Sequence, residues 1–275
     1  MKLLEHKKII LKKLSAISHS PQLDADLILM HALKKSRAAL LLSFNNELSN
    51  EEVQLINSLI HRRCKGEPIA YLLGTQPFWT MDLIVSYDTL IPRPETECLV
   101  EWILYHFPTT DALQLADLGT GTGAIAIALG LEKKNWHIDA TDQSAEALAI
   151  AQKNIVKHSV KNVSLYLGDW YNALPKHHYH VIVSNPPYIA QQDAHLNDLQ
   201  FEPQTALTAG ADGLNDIRKI VTQAKNHLAK NGTLVIEHGF DQANAVATIF
   251  RNSGFHDIQN HRDLSDIPRF VTGVI

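Results

Sequence analysis

Asp117-Leu118-Gly119-Thr120-Gly121-Thr122-Gly123 closes the apolar run Leu113–Leu118 and leads into a helical pattern near Thr122–Glu132. Glycines there let the backbone take positive φ and approach a ligand closely. Strand, glycine-rich turn and helix in that order open an α/β sheet that binds ligands at the carboxyl ends of its strands. The alternation continues outward from this loop. Further strand-like runs are His137–Thr141, Val163–Leu167, Val181–Ser184 and Thr233–Glu237, with helical segments at Ser144–His158, Leu214–Ala229 and Asp241–Ser253. Asp257–Arg262 and Arg269–Ile275 read as a closing pair of strands. Repeated β-α units predict a mostly parallel sheet with helices on both faces.

Upstream the pattern is different. Leu3, Ile10, Leu14 and Ile17 recur at helical spacing among lysines, and Leu23, Leu27, Met30 and Leu33 do so after Pro21. Ser49-Asn50-Glu51-Glu52 is a capping box that opens a helix with Val53, Ile56, Ile60 and Cys64 on one side. The first 75 residues therefore read as a small helical bundle. Phe78-Trp79 and Leu83-Ile84-Val85, with turn residues at Gly74, Pro77 and Asp88, predict a hairpin. A helix is expected from Glu95 to about Phe107.

The 275 residues are 45% hydrophobic and 20% charged, ordinary for a globular protein, with no apolar run near membrane-spanning length. The N-terminus lacks a signal-peptide core, and Cys64 and Cys98 form no CxxC pair. A cytoplasmic protein without a disulfide scaffold or cysteine-bound metal is expected. His177-His178-Tyr179-His180 has no metal-ligand spacing and reads as an exposed loop. The net charge of −4 is uneven. Residues 1–75 carry 11 Lys/Arg against 7 Asp/Glu, which leaves 14 against 22 for the remainder. The basic part suits an acidic partner or RNA, but solvated helix faces explain the same count more simply; the acidic part is a poor grip for duplex DNA.

The glycine spacing leaves two ligand classes open, since Gly119-x-Gly121-x-x-Ala124 also fits a dinucleotide fingerprint. Asp117 places a carboxylate where a pyrophosphate would sit, which repels NAD but suits a ligand with an ammonium group. Asp142, 19 residues after Gly123, is placed to take ribose hydroxyls. Gly168-Asp169-Trp170 offers a polar group and an aromatic wall for adenine. S-adenosylmethionine presents amino acid, ribose and adenine in that order. The plainer alternative for Asp142 and Asp169 is ordinary N-capping or turn formation, and the loop as a whole favours the nucleoside.

Asn185-Pro186-Pro187-Tyr188 follows the apolar run Val181–Val183. The prolines have no N–H and fix φ, so this backbone offers rigid carbonyl acceptors. Asn185 adds a side-chain carbonyl and Tyr188 a flat face. The set suits an –NH2 conjugated to a planar π system, whether a carboxamide or the exocyclic amine of a base. A strand-ending Asn-Pro turn is the plainer alternative.

With these pieces in order, the chain resembles the release factor glutamine methyltransferases, the HemK/PrmC family. Glu67-Pro68-Ile69-Ala70-Tyr71, Ile91-Pro92-Arg93-Pro94-Glu95-Thr96-Glu97, the Asp117–Gly123 loop and Asn185-Pro186-Pro187-Tyr188-Ile189 carry the resemblance. Phe201-Glu202-Pro203, Ala206-Leu207 and Arg269-Phe270 also fit, while His238 stands where many relatives have an apolar residue. The resemblance implies a seven-stranded Rossmann-like methyltransferase domain over 95–275. Ahead of it come a substrate-docking helical domain over 1–75 and a hairpin linker over 76–94. It implies methyl transfer from S-adenosylmethionine, with S-adenosylhomocysteine as product, to the side-chain nitrogen of the Gln in the Gly-Gly-Gln loop of bacterial class 1 release factors. Cofactor contacts fall on Gly119, Thr120, Gly121, Thr122, Gly123, Asp142, Trp170 and Asn185. Substrate contacts fall on Asn185, Pro186, Pro187 and Tyr188, with Asn185, Pro186 and Tyr188 catalytic. A monomer with no metal, no membrane and no direct nucleic-acid partner is implied. The rival reading is an adenine-N6 methyltransferase acting on DNA or RNA.

Overall fold

The computed structural model describes residues 2–108, 112–175 and 178–275. The chain forms two compact units, Met1–Thr75 and Gln76–Ile275. The first holds α1 (Leu3–Leu14), α2 (Pro21–Leu33), α3 (Arg37–Leu42), α4 (Asn50–Cys64) and α5 (Ile69–Leu73). The capping box forms as read: the Glu52 N–H donates to Ser49 Oγ at 3.1 Å and the Ser49 N–H to the Glu52 carboxylate at 2.8 Å.

The buried face of α2 differs from the expected stripe. Ala25, Ile28, Leu29 and Ala32 face the core, while Leu23 is 52% exposed. Asp24 and Asp26 turn inward as well because each has a cation: Arg63 meets Asp24 at 2.8 Å, and Lys7 pairs with Asp26. A buried carboxylate is tolerated only with such a partner, so these two pairs set the helix's rotation.

In the larger unit, β1 (Thr75–Phe78) and β2 (Met81–Ile84) form the hairpin, with the turn at Trp79-Thr80 rather than at Pro77, which lies within β1. A 3-10 turn at Pro94–Thr96 then leads into α6 (Glu97–His106). Next come β3 (Gln114–Leu118), α7 (Ala124–Glu132), β4 (His137–Asp142), α8 (Ala145–Lys157), β5 (Val163–Leu167), β6 (Tyr179–Ser184), α9 (Asn215–Ala224), β7 (Leu228–Glu237), α10 (Ala243–Asn252), β8 (His256–Arg262) and β9 (Pro268–Val274). The seven strands are ordered β5-β4-β3-β6-β7-β9-β8, parallel from β5 through β7 and antiparallel at β9 and β8.

Two expectations change here. The helix expected over Leu214–Ala229 stops at Ala224, and β7 begins at Leu228. Of the histidine-rich stretch, Tyr179 and His180 belong to β6, Tyr179 is fully buried with its hydroxyl on Asp139 at 2.8 Å, and His177 lies outside the described residues. Among the described residues no helix is long and apolar enough to cross a membrane.

One core layer packs α6, α7 and the hairpin residues Phe78, Met81 and Leu83 on one sheet face; the other packs α9 and α10 on the opposite face. The fully buried Asn154 of α8 fastens the hairpin. Its amide accepts from the Ile84 N–H at 2.7 Å and donates to the Ile84 and Thr122 carbonyls at 3.0 and 2.9 Å. The chain runs outward from β3 through β4 to β5, then crosses back to lay β6 on the other side of β3. That reversal leaves a crevice beyond the ends of β3 and β6, where open α/β sheets take their ligands.

Candidate active site

The glycine loop follows β3 and the Asn-Pro-Pro-Tyr segment follows β6, and the register Leu118↔Ser184 brings both to the crevice side by side. A cavity of about 260 Å³ opens there, walled by Gly119, Gly121, Asp142, Asp169, Trp170 and Asn185 among others. Gly119 and Gly121 take φ of 72° and 56°, which a side chain would resist. A Cβ on Gly119 would stand 3.0 Å from the Trp170 ring, so glycine is what lets this indole close over the loop.

Asp142 lies at the cavity wall with both oxygens oriented by backbone donors. Gly121 N–H and Ser144 N–H each donate at 2.9 Å, one to each oxygen. Each oxygen keeps lone-pair capacity for a hydroxyl. Burial raises the pKa of Asp142, and these backbone bonds hold the rise down.

Asp117 is 1% exposed. One of its oxygens accepts from the Thr120 hydroxyl at 2.7 Å and the Ala126 N–H at 3.2 Å; the other, Oδ1, is buried with no partner among the described residues. Burial pushes Asp117 up to about 7, and the Asp142 charge adds to the rise against those two bonds. An unpaired buried carboxylate oxygen calls for a donor, best a cationic one. These residues suit S-adenosylmethionine: Asp142 and Trp170 on the cavity wall would take ribose hydroxyls and adenine, and Asp117, buried beneath the glycine loop, would attract its ammonium.

The other loop residues named from sequence serve the loop itself. Thr120 donates to Asp117, the Thr122 carbonyl accepts from Asn154, and Gly123 is the left-handed N-cap of α7.

A second cavity of about 300 Å³ adjoins the first, walled by Pro186, Tyr188, Ile189, Arg93 and Leu207. Asn185, Leu90 and Ala206 line both, and Pro187 lines only the first. Asn185 thus stands on the boundary between a cofactor-sized space and a separate opening. Its amide nitrogen donates to Thr96 Oγ1 at 3.2 Å, which turns the amide oxygen the other way. The Tyr188 hydroxyl donates to Glu237 at 3.4 Å, and burial beside that carboxylate drives its pKa up, so it stays a neutral phenol.

Several residues at this site carried no role in the sequence reading. Glu202, whose side chain is 2% exposed, accepts from the Ile91 N–H at 2.9 Å and the Arg93 guanidinium at 2.5 Å. It ties the segment ending in Leu90 to the segment carrying Ala206, both of which wall the cavities. Glu237 closes β7, and burial pushes it up to about 7 against the Thr96 hydroxyl and the Arg269 charge. Arg93, Thr96, Glu202 and Arg269 all stand in the blocks that carry the family resemblance, so the signal was their presence, not their partners.

Comparisons with known proteins bear on the family and the fold. Residues 97–202 match the methyltransferase small domain, and residues 8–74 match the PrmC N-terminal domain. Among solved structures, a methyltransferase from Pyrococcus furiosus superposes with a TM-score of 0.55 at 17% identity, covering 78% of this chain and 96% of that one. The hMettl16 catalytic domain does so with a TM-score of 0.58 at 17% identity, covering 70% and 74%. These share the fold. The release factor glutamine methyltransferase of Coxiella burnetii is 47% identical over 97% of this chain and 96% of its own length. That of Escherichia coli is 43% identical over 93% of each. With a family match in each unit of the chain and the identity running through nearly all of it, this protein belongs to the release factor glutamine methyltransferase family.

Proposed function

We propose that the protein transfers a methyl group from S-adenosylmethionine to the side-chain amide nitrogen of the Gln in the Gly-Gly-Gln motif of class 1 peptide chain release factors. It acts on translation termination in the cytoplasm, as a monomer without a nucleic-acid partner. The observation that carries this reading is Asn185 on the wall shared by two cavities, with its amide nitrogen held by Thr96. Likeness to the release factor glutamine methyltransferases of Coxiella burnetii and Escherichia coli supports the substrate. The helical unit 1–75 is the substrate-docking part in this reading.

The chemical problem is a weak nucleophile. An amide lone pair is delocalised into its carbonyl, so the nitrogen must be helped as it attacks. S-adenosylmethionine supplies an electrophilic methyl on a sulfonium. Asn185 Oδ1 and the Pro186 carbonyl accept the two amide hydrogens of the Gln, and Tyr188 covers the amide plane. Positive charge grows on the nitrogen during attack, and fixed acceptors stabilise it, as an oxyanion hole does with the opposite sign. Holding the partners in line contributes about 7–11 kcal/mol, so a strong base is not needed; the proton is lost to water after the N–C bond has formed and the C–S bond has broken. Selectivity follows from the same acceptors. A Glu carboxylate has no N–H to donate and is repelled by them. Lysine arrives as an ammonium with no plane for Tyr188 to cover.

Mass spectrometry of a release factor peptide after incubation with the protein and S-adenosylmethionine tests the reading. One added methyl on the Gln is expected. Methylation of adenine in nucleic acid offered alongside, with the peptide unmodified, would replace it with the adenine-N6 reading.

A further inference from the structure

The acceptor role of Asn185 depends on which end of its amide faces the reacting nitrogen. A carboxamide has nearly the same shape either way round, and only the hydrogen bonds distinguish its two ends. Turned over, Asn185 would present its own N–H groups to those of the target and oppose the reaction. Something has to fix the orientation, and the residues that meet Asn185 do so.

Asn185 Nδ2 lies 3.2 Å from Thr96 Oγ1. Thr96 is 4% exposed, at the end of the 3-10 turn Pro94–Thr96. Its hydroxyl has one proton, and that proton needs an acceptor in this buried place. The Glu237 carboxylate, 1% exposed, is near enough for the Thr96 hydroxyl to oppose the rise in its pKa that burial causes. On its other side Glu237 takes the Tyr188 hydroxyl at 3.4 Å. Arg269, paired with Asp263 at 2.9 Å, supplies a compensating charge nearby, and Glu95 opposes it. The Asn185 N–H donates to the Thr96 oxygen, so that oxygen holds the nitrogen end of the amide.

We propose that Thr96, which takes the Asn185 N–H at 3.2 Å, is a positioning residue that holds the Asn185 amide with its oxygen toward the target nitrogen. The proposal rests on the reading of Asn185 as an acceptor for the Gln amide. It gives Thr96 of the Pro94–Thr96 turn a task at a strand end remote from it in sequence.

Thr96→Val keeps the side-chain shape and removes the hydroxyl; Thr96→Ser keeps the hydroxyl. With a release factor as substrate, Thr96→Val lowers kcat by at least about tenfold, while KM and the S-adenosylmethionine Kd stay within about twofold. Thr96→Ser restores most of the rate. On an Asn185→Ala background, Thr96→Val has no further effect, because a residue acting only through Asn185 has nothing left to orient. Where Val is not accommodated, Thr96→Ala serves the same comparison. A Thr96→Val enzyme with normal kcat, a loss shared with cofactor affinity, or the same fold-loss with and without Asn185 would each overturn the proposal. Asn185→Ala alone separates the two levels. If it keeps the normal rate the acceptor reading fails, whereas a crippled Asn185→Ala beside an intact Thr96→Val removes only the role of Thr96.

Discussion

The Ser184 hydroxyl donates to the Leu118 carbonyl at 2.7 Å, tying the last residue of β6 to the last residue of β3. The glycine loop and the Asn-Pro-Pro-Tyr segment therefore start from one fixed point. In-line transfer needs its two reactants held to within a fraction of an ångström, and the parallel register with this bond supplies the fixed frame.

Asn154 makes three hydrogen bonds that fasten the hairpin and the glycine loop to α8. Asn154→Ala leaves one N–H and two carbonyls without partners, at a cost of about 2–4 kcal/mol. Asn154→Asp is worse, because a carboxylate cannot donate to the Ile84 and Thr122 carbonyls. Urea unfolding should give the order wild type, Ala, Asp from most to least stable.

Glu202 joins two segments that contribute Leu90 and Ala206 to both cavities. Arg93 is partly open to solvent, so its ion pair is screened, and the Ile91 N–H is the larger share of what Glu202 secures. Glu202→Ala should cost about 1–3 kcal/mol of stability. It should weaken S-adenosylmethionine and release factor binding together. Calorimetry with each ligand checks this, and loss of only one would mean that the two segments are held independently.

Asp117, pushed up to about 7 by burial, is largely neutral in acid. Its folded-state pKa lies above the ordinary carboxyl value. It therefore stabilises the ligand-free protein fully below about pH 4, and that contribution is lost as the pH rises through about 7. Binding a ligand ammonium works the other way, since only the carboxylate attracts it. S-adenosylmethionine affinity should rise about tenfold from about pH 5.5 to about pH 7, and Asp117→Asn should flatten the profile. A profile that is already flat in the wild-type protein would show that Asp117 does not meet the ligand's ammonium.

How legible each part was depended on the range of the forces that set it. β3, β4, β5 and β6 announce themselves as apolar runs ending at Gly119, Asp142, Gly168 and Asn185, and local pattern fixes them within about two residues. The buried face of α2 was not legible, because it depends on Arg63, 39 residues from Asp24, and on Lys7 in another helix. The end of α9 was missed because Lys225-Asn226-His227 contains neither Gly nor Pro to mark the turn before β7. At the site, glycines and prolines marked the two loops. The Asn185–Thr96 and Tyr188–Glu237 contacts span 89 and 49 residues, and nothing in local spacing points across such distances.

The most direct test is single-turnover methyl transfer to a release factor by Asn185→Ala, with S-adenosylmethionine affinity measured on the same variant. A fall in rate of about 100- to 1,000-fold, with cofactor affinity within a few-fold of wild type, is the predicted result. A near-normal rate at saturating cofactor, with only affinity weakened, would contradict the account.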